Sequence, residues 1–165
     1  MKQIILDAVD VKLLNLLQTD ASLSNQALAE QVHISPATCL RRIKALRDSG
    51  LIERQIALLN PDKLAATLGH GLTALVEITL DQQGSEHQDA FERRVVIDAA
   101  VQQCYRVSPG PDFCLVVYAA DMPVYLALAQ RLFTSDANVR NVKAFFSIKC
   151  SKFEPKIPIA GVFIA

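Results

Sequence analysis

At 165 residues, 51% apolar and 21% charged, the chain is long enough for one ordinary domain or two small ones, and apolar enough to bury a core rather than remain disordered. Its formal net charge is zero, which excludes a global pull toward nucleic acid, so any such attraction has to be local. The four cysteines, Cys39, Cys104, Cys114 and Cys150, form no C-x-x-C pair and each sits in an apolar stretch, a pattern that argues against a disulfide framework or a metal site and fits a reducing cytoplasm.

The opening "MKQIILDAVD" has a short apolar run followed by acids, unlike a signal peptide. No stretch approaches the ~18 uncharged apolar residues of a membrane span. Three helices are expected next, at about 7–19, 24–32 and 35–49. Asp7 caps the first, Asp10 adds a negative charge to its first turn, and Leu13, Leu14 and Leu17 repeat at helical spacing. Ser24 caps the second, with Leu28 and Val32 one turn apart. Ser35 caps the third, Pro36 takes its first position, and Gly50 suits the left-handed residue after its end.

The third helix carries Arg41, Arg42, Lys44 and Arg47. Cys39, Leu40, Ile43 and Leu46 form its apolar stripe, while Ala37, Thr38, Arg41, Arg42 and Ala45 fall on the other side. Small residues permit close approach, guanidinium groups reach phosphates and guanine edges, and a helix N-terminus can sit beside a phosphate. A basic stripe alone is more often a solvated face. Residues 1–60 hold seven Lys/Arg against six Asp/Glu, so affinity would come from a focused patch and from dimer symmetry. Helix order, caps and the small outward residues together favour a helix-turn-helix over about 24–49, with 35–49 as the recognition helix. The candidate DNA-binding residues are Ser35, Ala37, Thr38, Arg41, Arg42 and Lys44. The stretch "LIERQIALLN" reads as extended and would complete a winged fold.

The expected domains are 1–60, a linker at 61–72 with room for one helical turn, and 73–165. In the last, strands are expected at 73–80, 102–107, 113–120 and 142–150, and helices at 85–100 and 121–133. Ala74, Val76, Ile78 and Leu80 share one face, as do Val142, Ala144, Phe146, Ile148 and Cys150; Phe91, Val95 and Ala99 are a turn apart, and Tyr125, Leu128 and Leu132 point inward. This β-α-β-β-α-β order is the split ferredoxin-like arrangement, and the fold class is α+β. Both helices then cover one side of the sheet. Strand 113–120 is apolar on both faces, and Leu75 and Phe145 point to the bare one, so a homodimer pairing its sheets is expected.

These segments resemble the leucine-responsive/AsnC-type (feast/famine) transcriptional regulators from about residue 5 to 154. The resemblance is carried by Leu6-Asp7 with Asp10, the "LA..V.(I)S" of the turn, Ser35-Pro36, the pair Arg41-Arg42, Gly50-Leu51-Ile52, the turn from Ser108 to Asp112, Tyr125 and Ser147. It implies a winged helix-turn-helix that binds double-stranded DNA as a dimer. It also implies a C-terminal domain that dimerises, often assembles into octamers, and senses a small effector, usually an amino acid. The effector residues it points to are Ser108, Pro109, Gly110, Asp112 and Ser147. The chain departs from the family pattern at Ser22, where a basic residue is common, at Ala65, where glycine is common, and at Pro109, which takes a glycine position. Pro109-Gly110 suits the centre of a type II turn, but Pro111 has no N–H to close it, leaving fewer donors for an effector carboxylate. Asp112 either accepts from an effector amino group or satisfies its own hairpin.

His33, His70 and His87 have no partner pattern, and no nucleophile elbow, phosphate loop or paired-carboxylate constellation is present. No cofactor, metal or membrane partner is expected. "PKIPIAGVFIA" is either an arm that packs on a partner subunit or a loose tail. The reading is a cytoplasmic DNA-binding regulator and not an enzyme. The alternative is a small-molecule sensor or metabolic accessory protein acting through its ferredoxin-like domain without direct DNA readout.

Overall fold

The computed structural model describes residues 5–69 and 71–159. The chain divides into two compact units, Met1–Leu58 with Lys152–Ala165, and Leu59–Ser151.

The first unit holds α1 (Ala8–Thr19), α2 (Asn25–Gln31) and α3 (Pro36–Asp48), each beginning one residue after its expected cap. Asp7 and Asp10 form a reciprocal capping box, Ser24 Oγ accepts from the Ala27 N–H at 3.1 Å, and Ser35 Oγ accepts from the Thr38 N–H at 3.2 Å. Their apolar sides close on a core of Leu13, Leu28, Ala29, Val32, Cys39 and Ile43. Burial raises the Cys39 thiol above its ordinary value, so it packs as a neutral apolar group. Leu40, expected in the apolar stripe, is instead exposed on α3's flank. Residues 53–60 form no helix and no sheet ladder.

The tail returns to this unit rather than staying with the sheet that precedes it. The Gln18 amide accepts from the Ile157 N–H at 2.7 Å and donates to the Ile157 carbonyl at 3.2 Å. Lys156 Nζ donates to Thr19 Oγ1 at 2.8 Å. The expected arm therefore packs on α1 of its own chain over its described residues; 160–165 lie outside them, as does His70.

The second unit opens with α4 (Pro61–Leu68), two turns where the linker was expected to carry one. Asn60 caps it, accepting from the Lys63 N–H at 2.9 Å. Strands β1 (Leu72–Leu80), β2 (Val101–Arg106), β3 (Phe113–Ala119) and β4 (Val139–Phe146) form one antiparallel sheet in the order β2-β3-β1-β4. Helices α5 (Ser85–Val95) and α6 (Met122–Ala129) complete the β-α-β-β-α-β order. Ala74, Val76, Ile78 and Leu80 are buried, as the alternation requires, with Phe113, Leu115 and Val117 beside them. Phe91 packs on Phe113 with ring centroids 4.8 Å apart.

Three elements differ from expectation at their ends. Helix α5 stops at Val95 because Asp98 takes the Ala100 N–H at 3.0 Å and turns the chain, which leaves Ala99 exposed. Helix α6 widens into a π-type turn at Gln130–Thr134, which buries the consecutive residues Leu132 and Phe133 together. Strand β4 starts at Val139 and ends at Phe146. Its partner β1 runs out there: Ser147 donates its N–H to the Thr73 carbonyl at 2.9 Å, and Ile148 and Cys150 stand exposed. On the open face, Leu75 and Phe145 are half exposed, at 50% and 52%.

Candidate nucleic-acid interface

Between α2 and α3 the chain reverses through His33, whose φ of 57° places a non-glycine residue in the left-handed region. The Ile34 N–H donates to the Ala29 carbonyl at 3.0 Å, which closes the turn. Asn25, the first residue of α2, donates to the Pro36 carbonyl at 2.8 Å and so ties the N-terminus of α2 to the first turn of α3. Proline at the first helical position and the Ser35 cap leave the amino end of α3 exposed.

Burying Cys39, Ile43 and Leu46 directs Ala37, Arg41, Lys44 and Ala45 outward, and all four are exposed. Arg41 and Lys44 engage no carboxylate among the described residues. Thr38 is half-buried, with its hydroxyl 2.9 Å from Ser35 Oγ. The result is a low-profile surface, with a small alanine one turn to either side of Arg41 and Lys44 beside them, on a helix braced from below. Such a surface can enter a groove and neutralise phosphates.

Arg42 sits elsewhere. Expected on the DNA face, it lies on the flank of α3 that meets α1. There its Nη1 donates to Asp7 Oδ2 at 2.7 Å and to Asp10 Oδ1 at 2.8 Å. Its hydrogen bonds to the carboxylates of Asp10, then of Asp7, raise the guanidinium above its ordinary value. The Asp10 N–H, with Arg42, holds the Asp7 carboxyl below its usual range against the opposing effect of burial. On the opposite flank Arg47 Nη2 donates to Gln55 Oε1 at 2.8 Å. Sequence reasoning missed Asn25 and this use of Arg42. The second leaves no signal in local spacing, because Asp7 and Asp10 lie 35 and 32 residues from Arg42 along the chain.

The residues proposed for an effector separate into two places. The Val107 N–H donates to the Asp112 carbonyl at 3.1 Å across the hairpin. Gly110 takes a φ of 123°, which its lack of a Cβ permits, and the Ser108–Pro109 peptide is cis. Ser108, Pro109 and Gly110 are exposed. Asp112 is buried, and its carboxylate reaches across the sheet rather than into its own turn. Its Oδ2 accepts from the Leu80 N–H at 2.7 Å and from Gln83 at 3.2 Å, and its Oδ1 accepts from Gln88 at 3.4 Å. Ser147 pairs beside Thr73 at the other end of β1, so about 20 Å of strand, at ~3.3 Å per residue, separates it from the hairpin within one chain.

Residues 6–53 match the model described as "Winged helix-turn-helix DNA-binding", and residues 73–157 match the "Lrp/AsnC ligand binding domain". The chain belongs to the Lrp/AsnC family of transcriptional regulators. It is 36% identical to the DNA-binding transcriptional activator DecR of Escherichia coli K12 over 93% of this chain and 99% of that protein. It is also 36% identical to an HTH-type transcriptional regulator of Haemophilus influenzae, over 92% and 88% of the two chains. Among solved structures, an AsnC family regulator from Agrobacterium tumefaciens superposes with a TM-score of 0.81 at 30% identity, covering 93% of this chain and 97% of that one. A Neisseria meningitidis transcriptional regulator, solved as a complex with L-Met, gives 0.81 at 28% identity with the same coverage. This Lrp/AsnC regulator is thus a DNA-binding protein with an α+β fold, a winged helix-turn-helix followed by the antiparallel sheet domain of its family. No helix among the described residues is long and apolar enough to cross a membrane.

Proposed function

We propose that this regulator reads double-stranded DNA with the outer face of α3. Arg41 and Lys44 neutralise phosphates or reach guanine edges, Ala37 allows close approach, and Ser35 and Thr38 sit at the amino end of the helix beside the backbone. The observation that carries this is the pairing pattern on one helix: Arg42 and Arg47 are engaged on its flanks, while Arg41 and Lys44 are exposed and meet no carboxylate among the described residues. The unit acts in the cytoplasm as a regulator rather than as an enzyme.

It acts as a homodimer. The open sheet face exposes Leu75, Tyr105, Tyr118 and Phe145, an apolar surface that a second copy would cover. Assembly of dimers into an octamer is the further step its family resemblance implies, and Met122 and Leu126, a turn apart and exposed on α6, offer a second apolar surface.

Its effector is an amino acid, a reading supported by the matched ligand-binding domain and by the L-Met complex of the Neisseria relative. The ligand lies against the hairpin Ser108, Pro109, Gly110 and Asp112, and Ser147 joins it only from another copy. Because Asp112 already accepts from Leu80, Gln83 and Gln88, an effector amine would have to share or displace an amide.

The test is a mobility shift on DNA flanking the protein's own gene, at two salt concentrations, with and without a panel of amino acids. Specific binding should weaken steeply with salt, by a slope of about 0.9 per phosphate contact. One amino acid should move the midpoint. A folded protein giving no specific, salt-sensitive shift would overturn the DNA reading and turn attention to the sheet domain as a sensor that docks on another protein.

A further inference from the structure

We infer that Arg42 serves DNA recognition as a positioning residue: it holds Asp7 and Asp10 of α1, and thereby sets the roll of α3 that turns Arg41 and Lys44 outward. This rests on the proposed DNA face of α3 and adds to it the device that keeps that face aimed.

Three observations carry it. First, one guanidinium nitrogen bonds both carboxylates, at 2.7 and 2.8 Å, and both belong to a single helical turn already locked by its capping box. Asp7 and Asp10 are therefore a rigid anchor rather than two mobile surface acids. Second, Arg42 Nε is buried and has no partner among the described residues. The near edge of the fork is thus enclosed by protein, and the arginine is not splayed toward solvent as a phosphate ligand would be. Third, the bracing is two-sided. Arg42 holds one flank of α3 to α1, and Arg47 holds the other to Gln55 at 2.8 Å. At 3.6 residues per turn, a rotation of α3 by one position would carry Arg41 toward the flank and expose part of the apolar stripe. Apolar packing sets this angle coarsely, and a charge-assisted bond to a capped helix sets it more finely.

The arrangement separates two explanations by sign. Asp7 and Asp10 put two carboxylates next to a helix meant for a polyanion. If they had no positioning role, neutralising either one would relieve repulsion and tighten DNA binding. If they anchor Arg42, neutralising Asp10 weakens binding although the unit has become more positive.

The experiment uses the full chain and a duplex selected by the wild-type protein from random-sequence DNA, with an unselected duplex of equal length as the non-specific reference. Asp10→Asn keeps a capping acceptor while removing the charge. It should weaken specific binding roughly tenfold, leave non-specific binding nearly unchanged, and leave the salt slope of the specific complex unchanged. Arg42→Met should do the same, and the double variant should be no worse than either single one. Arg42→Lys, which keeps a donor for Asp7 and Asp10, should restore part of the loss. A purely structural role would lower the melting temperature but leave the specific-to-non-specific ratio of the folded protein intact, and that result overturns the inference. So does tighter binding by Asp10→Asn, or a salt slope that drops by about 0.9 per lost contact in Arg42→Met, which marks a direct phosphate ligand. If Arg42→Met does not fold, the sign of the Asp10→Asn effect decides alone. Arg41→Ala is the control on the underlying reading. It should lower both affinity and slope, and an unchanged Arg41→Ala overturns the proposed DNA face itself, whereas the expected loss in Arg41→Ala beside a tighter Asp10→Asn overturns only the role given to Arg42.

Discussion

Replacing Asp112 by alanine tests whether the hairpin carboxylate holds the second unit together. Its side chain is the hydrogen-bond partner of the Leu80 N–H, at 2.7 Å, in a residue that is itself fully buried. Removing the acceptor strands that N–H, at a cost of about 1–3 kcal/mol for an unsatisfied buried donor. The amides of Gln83 and Gln88 lose an acceptor as well, but both residues reach solvent and can rebind water, so they add little. The expected loss is about 2–3 kcal/mol, or a fall in melting temperature of roughly 10–20 °C for a unit of this size. Asp112→Asn keeps one oxygen for Leu80 and should lose about half as much. Urea or thermal unfolding followed by circular dichroism reads both variants, and amide hydrogen exchange at Leu80 locates the effect. An alanine variant within about 0.5 kcal/mol of wild type, with Leu80 still protected, would refute the reasoning, because the Leu80 N–H would then have another partner. The same variants bear on the effector: if Asp112→Asn loses amino-acid response while keeping most stability, the carboxylate has a second task.

Four further outcomes are expected. Leu13→Ala, at a position with no exposed surface in the helical core, should destabilise the first unit by about 2–5 kcal/mol in denaturant unfolding. Cys39, held neutral by burial, should resist a thiol reagent at pH 7–8 in the folded protein and react fully once it is unfolded. Leu75→Lys with Phe145→Glu on the open sheet face should convert the proposed dimer to monomers in sedimentation without melting the sheet; a variant that stays dimeric would place the interface elsewhere. Acid stability should follow Asp136, which burial raises but the Asn138 N–H and Arg94 outweigh, so that its carboxyl lies below the ordinary value of 3.8. A lowered folded value stabilises above the unfolded one and is lost as pH falls through the folded one. The wild type should therefore lose stability below about pH 4, and Asp136→Asn should lose less over that range.

The parts of the fold legible in the sequence are those encoded within a few residues. Asp7, Ser24 and Ser35 all cap the helices they were expected to start, because a cap needs only a side-chain oxygen and an N–H two or three residues on. The sheet faces follow equally from strict alternation, down to the exposed Leu75 and Phe145. What could not be read depends on partners far along the chain. Arg42 meets acids 32 and 35 residues away, and Gln18 meets Ile157 across 139 residues. Nothing in local spacing distinguishes such a pair from two solvated residues. Strand β4 illustrates the same limit: its apolar alternation continues to Cys150, but the ladder ends where β1 ends, and no pattern in β4 itself records that. For Asp112 the sequence offers only an effector amine or its own hairpin, because turn chemistry is local, whereas its buried oxygen is claimed by the end of β1.

The bond between Gln18 and Ile157 also bears on how the protein is made. The three helices of the first unit are synthesised before the sheet unit, yet the strap at Ile157 arrives only after the whole of Leu59–Ser151 has been translated. At roughly 5–20 residues per second, α1 waits on the order of 7–28 seconds for Ile157, 139 residues further on. During that interval the three helices must stand on their own core while the intervening sheet is still emerging. The reading head is thus assembled early and finished late, and its final fastening coincides with completion of the sheet unit between.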